Sequence, residues 1–327
     1  VRAEDGASSS IPTYNQDLFD VVTANSGSHP NYRTHMKVDF AIVKENVKSN
    51  GTGDWQVLTR PMGGHRVQLA SSFEGDDVGS VTNFRWAAKG PSNAISTNGQ
   101  HGKNGLWDHD HNSNAVGSFW KSGPTFDYVQ WWGNASPPRT IAHNLGKEPE
   151  FMMGRRWHTN GGNAGWNIYC KPAGNTKYFD GIGSGSISTG SSRWNNTTPD
   201  KDNFYLGSTG DLNMNERWHW MGLWASVDKL CKIGSYYGNG TDNRTVSCGF
   251  QPRWLLLRRL DGASDWCVFD VANASNWTYY VRWNSGSSRI AANQVTIASD
   301  GFQVDNSSNS GNNFNGSGQH WFFMAHA

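Results

Sequence analysis

One stretch of the chain occurs twice, and this repeat constrains the fold more than any single motif. Residues 131–156 read WWGNASPPRTIAHNLGKEPEFMMGRR, and residues 236–259 read YYGNGTDNRTVSCGFQPRWLLLRR. A more divergent copy spans residues 19–44, where Arg33-Thr34 stands in place of Arg139-Thr140 and Arg244-Thr245. Regular self-similarity of this kind predicts tandem structural units.

The repeat extends beyond its opening segment. A run with a central Trp follows each copy, at 53–58, 165–170 and 264–270. Dense aromatic runs at 126–132, 218–224 and 319–326 then close each unit. We therefore predict an N-terminal arm or linker (1–17), a first module with a long insertion at 70–119 (18–130), a second module (131–235) and a third module (236–327).

The local pattern is that of β-strands. Apolar residues alternate or form runs of four to six, bounded by Gly, Asn, Pro, Asp and Ser. Because 13% of the residues are aromatic, with 17 Trp, aromatic side chains are expected to supply much of the core. The predicted class is all-β, with three tandem antiparallel β-sandwich, jelly-roll-like modules. One face of each strand is expected to pack inward, and the other to face water or a neighbour.

Composition excludes several function classes. A formal net charge of +1 offers no basic field for nucleic acid. The sequence has no apolar stretch near 18 residues, which argues against a membrane span. The four cysteines form no CxxC pair, so we interpret them as reduced, mostly buried thiols of a protein that folds in a cytoplasm.

The densest group of polar, chemically reactive residues is Trp107-Asp108-His109-Asp110-His111. On an extended strand the two Asp would share one face and the two His the other, a pattern that could ligate a transition metal. The alternative is a solvated loop within the insertion. We predict no metal or cofactor here and interpret the segment as a candidate receptor-binding loop.

Catalytic signatures are weak. Asp54 and Asp265 each precede the central Trp of a unit, but Gly165 takes that place in the middle unit, as expected of a turn residue rather than a catalytic acid. The run Gly183-Ser184-Gly185-Ser186 lacks the final Gly of a nucleophile elbow. The prediction is that the protein is not an enzyme.

The aromatic strands allow two interpretations. Outward Trp and Tyr beside Asn and Asp are typical of sugar-binding surfaces, whereas inward ones fill cores and interfaces. We predict a homo-oligomer whose subunit contacts use Trp131, Trp132 and Trp224. The Arg pairs that end the apolar strands, 155–156 and 258–259, are expected to be solvated or in salt bridges.

The repeated pattern resembles one in tail-fibre and related virion structural proteins of tailed bacteriophages that carry tandem β-sandwich repeats. KIGSYYGNG at 232–240 and RTIAHNLGKEPEF at 139–151 carry the resemblance best. The first module departs from it, since Ala24-Asn25-Ser26-Gly27 replaces the Gly-Asn signature. The resemblance implies a phage particle component, made in the bacterial cytoplasm and assembled as a homotrimer with other tail or virion proteins.

The function that follows is that of a tail fibre or receptor-binding tail protein that attaches to a host surface glycan or protein. A capsid fibre or baseplate subunit is the nearest alternative. A glycan-degrading, tailspike-like enzyme is an alternative of a different class, and a pair of carboxylates facing each other across a groove would favour it.

Overall fold

The structure is a computed structural model, and it describes residues 17–23, 31–45, 55–62, 67–68, 84–86, 93–97, 115–156, 165–272, 274–309 and 311–327. Within these ranges the chain is all-β, and every strand pairing is antiparallel. The predicted fold class is therefore confirmed, and the pairing of sheets face to face is consistent with β-sandwich modules.

The first third of the chain forms two sheets. Its strands are β1 (Phe19–Thr23), β2 (Asn31–Thr34), β3 (Phe40–Glu45), β4 (Gln56–Thr59), β5 (Val67–Gln68), β6 (Phe84–Trp86), β7 (Asn93–Thr97) and β8 (Ala115–Trp120). The large sheet has the order β1-β8-β3-β4-β5, and the small one has the order β2-β7-β6. A 3₁₀ turn, Arg60–Met62, follows β4.

The middle third repeats this plan. Its strands are β9 (Phe126–Trp132), β10 (Arg139–Ala142), β11 (Phe151–Arg156), β12 (Asn167–Cys170), β13 (Lys177–Asp180), β14 (Ser188–Thr189), β15 (Asn203–Leu206) and β16 (Trp218–Trp224). They form a large sheet, β14-β13-β12-β11-β16-β9, and a small one, β10-β15. A 3₁₀ turn (Lys171–Ala173) and a short helix, α1 (Gly210–Asn213), complete the unit.

The last third has the same arrangement. Its strands are β17 (Cys231–Tyr237), β18 (Arg244–Ser247), β19 (Trp254–Arg259), β20 (Cys267–Asp270), β21 (Tyr279–Arg282), β22 (Ile290–Ala291), β23 (Val295–Ala298), β24 (Gly301–Val304), β25 (Ser308–Asn309), β26 (Asn312–Asn313) and β27 (His320–His326). The sheets are β17-β27-β19-β20-β21-β22, β18-β24-β23 and the pair β25-β26.

The three large sheets therefore share one strand order, in which the last strand of each unit lies between its first strand and its central strand. Phe40, Phe151 and Trp254 begin the three central strands, and Trp55, Trp166 and Trp266 stand directly before β4, β12 and β20. The structure thus places the three copies of the repeat, and the Trp-centred run that follows each copy, on equivalent strands.

Strand pairing corrects one detail of the repeat. Residues 126–132 do not close the first unit; they form β9, the edge strand of the middle sheet, paired with β16. The strand that closes the first unit is β8, which overlaps the end of the segment predicted to be an insertion (70–119), and it pairs with both β1 and β3. The predicted module boundaries after residues 130 and 235 consequently fall inside β9 and β17.

In the middle and last units the large sheet packs its small sheet on its outer face. In the middle unit the outer core is built from side chains such as Trp131, Ile141, Phe204 and Leu223. In the last unit it is built from Tyr236, Val246, Phe302 and Phe323, among others. Because side chains alternate between the two faces of a strand, every second side chain of β9 and β17 points into the outer core of its unit.

The inner faces of the three large sheets meet in a common core. Its aromatic members include Phe40, Trp120, Phe126, Phe151, Trp220, Trp224, Trp254, Trp266, Trp283 and Phe322. The ring of Trp120 lies 5.7 Å from that of Trp224 and 5.9 Å from that of Trp254, both edge-on. Its Nε1 donates to Nε2 of His326 at 3.2 Å. Strand register makes Trp120, Trp224 and His326 equivalent, because they lie opposite Phe40, Phe151 and Trp254.

Burial on both faces follows from this arrangement. Every residue of β11, β12 and β20 is buried, so the second face of these strands meets a neighbour and not water. The central strands lie between their own small sheet and the neighbouring units, so neither face meets water. Near-continuous apolar runs such as Trp-Leu-Leu-Leu in β19 are the sequence counterpart of this environment.

Candidate interaction surface

Two tight turns, one in each of the last two units, hold the ends of β9 and β17 in place. A Cβ on Gly133 would lie 1.8 Å from the main-chain oxygen of Met214, and one on Gly238 would lie 2.0 Å from that of Gly316. No side chain can be accommodated at either position. The Gly of the repeated Gly-Asn pair is thus required by close backbone approach.

The Asn of the same pair closes the turn through an amide pair. Asn134 N donates to Oδ1 of Asn213 at 3.2 Å, and Asn213 Nδ2 donates back to Oδ1 of Asn134 at 3.0 Å. Asn239 and Asn315 form the same reciprocal pair, at 3.0 and 2.7 Å. Asn213 and Asn315 are buried, and because their side chains both donate and accept here, they fix the turn geometry.

The Arg of the repeated Arg-Thr pair anchors the preceding aromatic. Arg139 Nη1 donates to the main-chain oxygen of Trp132 at 2.6 Å, and Arg244 Nη1 donates to that of Tyr237. The Arg244 guanidinium also lies 5.4 Å from the ring centre of Tyr236. Turn, amide pair and arginine together form a rigid frame around each strand end.

This frame presents exposed aromatic pairs. Trp132 and Trp218 are 47% and 45% exposed, and their rings meet edge to face at 5.1 Å. In the last unit Tyr237, 61% exposed, stacks flat on His320 at 4.2 Å. The two pairs are equivalent, since Trp218 lies opposite Trp132 and His320 lies opposite Tyr237.

Both pairs lie at the same end of the inner sheet faces. Residues an even number apart on a strand share a face. Trp218 therefore shares the inner face with Trp224, and His320 shares it with His326. Six residues along each strand from the buried Trp224 and His326, the inner face thus ends at an aromatic ring, exposed in Trp218 and half-buried in His320.

An ion pair flanks the second of these aromatic pairs. Asp261 Oδ2 accepts from the His320 N–H at 3.0 Å, and its Oδ1 accepts from Arg259 Nε at 2.6 Å. Burial lowers the pKa of His320 and the nearby Asp261 carboxylate opposes this, with the lowering dominant, so the imidazole is neutral at neutral pH. The pair is a neutral aromatic stack beside an ion pair.

The structure separates the three residues predicted at a subunit interface. Trp224 is fully buried in the common core, and Trp131 is 5% exposed with its Nε1 donating to the oxygen of Leu212 at 2.9 Å. Neither has surface to offer a second subunit, because both side chains already contact other parts of the same chain. Only Trp132 remains available.

Sequence reasoning did not single out Trp218, Tyr237 and His320 as an exposed group. Their position in the repeat is the sequence feature that could have identified them. Trp132 and Tyr237 occupy the same place in the repeat, and each directly precedes a Gly that cannot carry a side chain. The sequence did not show which strands lie opposite Trp132 and Tyr237, because strand pairing is set by tertiary packing.

The candidate receptor-binding loop, Trp107-Asp108-His109-Asp110-His111, lies outside the described residues. Among the described residues there is no group of three or more His, Cys, Asp or Glu side chains placed to hold a metal ion. The four cysteines are free and buried, as predicted, and burial raises the pKa of the Cys248 thiol to about 12. In the described ranges no helix has the length and apolarity needed to cross a membrane.

A second surface feature lies on the last unit. A groove of about 430 Å³ opens between the turn before β21 and the strand β23. It is lined by Gln251, Ser275, Asn276, Trp277, Thr278, Ala292, Asn293, Val295, Thr296 and Ile297. Its lining combines amides and hydroxyls with an apolar base.

These features define a multi-sheet β-protein with exposed aromatic and amide-lined surfaces. Comparison with protein families gives a match over residues 108–327 to a domain of unknown function, DUF7483. The match covers two thirds of the chain, including β8 and the whole middle and last units, and the chain belongs to this family. No curated protein matches the sequence.

Proposed function

We propose that this protein is a structural component of a bacteriophage particle, acting as a tail fibre or receptor-binding tail protein that attaches to the host cell surface. It requires no cofactor and no catalysis for this role. It is made in the bacterial cytoplasm and functions in the virion. A capsid fibre or baseplate subunit would use the same architecture at another place in the particle.

The observation that carries the proposal is the pair of equivalent exposed aromatic sites on a rigid frame. Trp132–Trp218 and Tyr237–His320 occupy the same position in two units and are held by the same Gly, Asn and Arg contacts. Exposed aromatic side chains on a soluble β-scaffold mark a surface for recognition or assembly. The sequence resemblance to phage tail proteins supplies the biological setting.

The proposal includes a homotrimer, with Trp132 as the predicted contact that remains on the surface. The Trp132–Trp218 pair would then lie in the subunit contact, where a neighbour could cover both rings. Sedimentation at micromolar concentration should give about three times the 36.2 kDa chain mass. Trp132→Asp should reduce the sedimenting mass to that of the monomer. The control Thr140→Asp, at an exposed position, should leave the mass unchanged. A wild-type monomer would contradict the trimer alone.

The particle assignment is tested by labelling. Antibodies against the purified protein should bind one end of intact tailed particles in electron micrographs, and the protein should block adsorption of those particles to host cells. Purified particles that lack the protein would overturn the proposal. Label on the capsid or baseplate would select one of the alternatives.

A further inference from the structure

The groove on the last unit has two walls that are fixed relative to each other. One wall is the turn 275–278, and the other is the strand β23 with the residues just before it. The main-chain N of Ala292 donates to the oxygen of Thr278 at 2.8 Å, which ties the two walls together. A volume of about 430 Å³ lies within the range of roughly 300–1,000 Å³ usual for small-ligand sites.

An unusual residue forms the base of the groove. Trp277 adopts φ of 58°, the left-handed region that bulky side chains rarely occupy, and it is fully buried. Its ring packs at 5.9 Å against Phe269. This conformation turns the indole into the core while Ser275, Asn276 and Thr278 around it stay exposed at the rim. Strained backbone at such a position is typical of binding sites.

The rim has the chemistry of a neutral, polar site. Three exposed amides, Gln251, Asn276 and Asn293, line it together with hydroxyls, and none of the lining residues among those described is charged. Within the described part of the chain these amides have no side-chain hydrogen-bond partner, so each can offer a donor and an acceptor to a ligand. A phosphate or carboxylate would require a cation that the lining lacks.

The strand β23 adds backbone groups. It is an edge strand of the sheet β18-β24-β23, so its outer N–H and C=O groups face no further strand among the described residues. The same edge could receive an extended peptide. The exposed side chains of the 275–278 turn occupy the space beside it, however, which favours a compact ligand over an added strand.

The middle unit does not reproduce this arrangement. Trp194 packs there on Tyr169, the residue equivalent to Phe269, at 5.8 Å. The small sheet of that unit has the two strands β10 and β15 and no counterpart of β23 in the described residues. The groove thus distinguishes the last unit from the middle one.

We propose that the groove between the 275–278 turn and β23 binds a neutral saccharide through Asn276, Asn293 and Gln251. This deepens the proposed receptor-binding function and rests on it. Sugar hydroxyls can both donate to and accept from these amides, and the uncharged lining selects neutral sugars over acidic ones. The exposed aromatic pairs at the far strand ends would remain free for assembly.

The test uses the full chain with glucose, galactose, rhamnose and N-acetylglucosamine as probes, followed by saturation-transfer NMR and calorimetry. At least one sugar should bind with a Kd of roughly millimolar strength or tighter. Thr296→Arg, which places a long side chain in the groove, and the double variant Asn276→Ala/Asn293→Ala should each weaken binding by about tenfold or more. Thr245→Arg, an equally exposed site on the same small sheet, should bind as the wild type does.

Several outcomes would overturn the inference. These are no binding of any neutral sugar at about 20 mM, binding that Thr296→Arg leaves unchanged, or displacement of the sugar by an extended peptide. Circular dichroism and the melting temperature of each variant show whether it has folded. If the double variant does not fold, the single variants Asn276→Ala and Asn293→Ala replace it. Particle labelling and adsorption blocking do not depend on these sugar-binding results. A negative result for the groove can therefore be distinguished from a failure of the proposed function.

Discussion

The indole N–H of Trp55 in the first unit donates a 2.6 Å hydrogen bond to the main-chain oxygen of Arg282 in the last unit. The relationship recurs around the molecule, since Trp266 of the last unit donates to Gly183 of the middle unit at 3.2 Å. Trp55 and Trp266 therefore each fasten their own unit to a neighbouring one, whereas the Nε1 of Trp166 in the middle unit has no acceptor among the described residues.

A cation accompanies each Trp at these contacts. Lys44 Nζ lies 5.4 Å from the ring centre of Trp55 and donates to the oxygen of Ser285 at 2.8 Å. Arg258 lies 5.4 Å from Trp266 and donates to the oxygen of Gly185. Strand register makes Lys44, Arg155 and Arg258 equivalent, and all three are buried. The expectation of solvation or a salt bridge was wrong for Arg258, whose buried guanidinium meets aromatic faces and main-chain oxygens. It was right for Arg259, which pairs with Asp261.

Replacing the linking Trp residues by Phe should separate the hydrogen bond from the packing. Trp55→Phe and Trp266→Phe leave the oxygens of Arg282 and Gly183 without this donor, so each should lose about 1 kcal/mol more than Trp166→Phe. Trp166 is the matched control because its Nε1 has no acceptor among the described residues. Urea unfolding midpoints compare the three variants. Equal losses would show that the hydrogen bonds contribute nothing net.

Trp166→Ala tests the buried position itself. Trp166 is 3% exposed, packs edge-on against Trp220 at 5.4 Å, and supports the guanidinium of Arg155 at 5.4 Å. Its removal should destabilise the protein by about 3–5 kcal/mol, as large aromatic deletions in cores do. Trp132→Ala, at a half-exposed site, should cost far less. Chemical denaturation measures both, and similar losses would contradict the packing described.

The sequence predicted the unit and its period but not how the units pack. Aromatic and β-branched runs bounded by turn residues identified the strands and aligned Phe40, Phe151 and Trp254. The closing strand was misplaced because residues 126–132 are as aromatic as 218–224, whereas β8, Ala-Val-Gly-Ser-Phe-Trp, is not. Those similar strands are neighbours in one sheet, and strand neighbours are fixed by long-range pairing.

The candidate site was predictable only in part. Alternation showed that some Trp residues on each strand must face outward, and Trp132 does. It could not show that the inner face of each sheet meets two other sheets, which is what buries Trp224. A chain whose units share a core has fewer exposed aromatics than the same units would have alone.

Gly238→Ala tests the turn that positions Tyr237. The added Cβ would meet the main-chain oxygen of Gly316 at 2.0 Å, so strand and turn must separate, at a cost of about 1–3 kcal/mol. Gly210→Ala is the control, because a Cβ there meets nothing within 4 Å. Thermal unfolding should show a lower Tm for Gly238→Ala and a Tm at or above wild type for Gly210→Ala. A neutral Gly238→Ala would mean that the turn relaxes freely.

Acid sensitivity should arise from His326 in the common core. Burial, reinforced by Arg253, lowers the pKa of His326 to about 3, and burial lowers that of His219 to about 4. In the unfolded chain a histidine takes up its proton near pH 6.5. The unfolded state therefore binds more protons as the pH falls below about 6.5, and each histidine removes roughly 1.4 kcal/mol of stability per pH unit until its folded pKa is reached.

The variant His326→Gln tests this, because it keeps an acceptor for Trp120 Nε1 and removes the titrating imidazole. Between pH 7 and 5 it should lose about 2 kcal/mol less than the wild type in urea unfolding, with parallel curves above pH 7. Parallel curves throughout the range would show that His326 takes up a proton as readily in the folded protein as in the unfolded one.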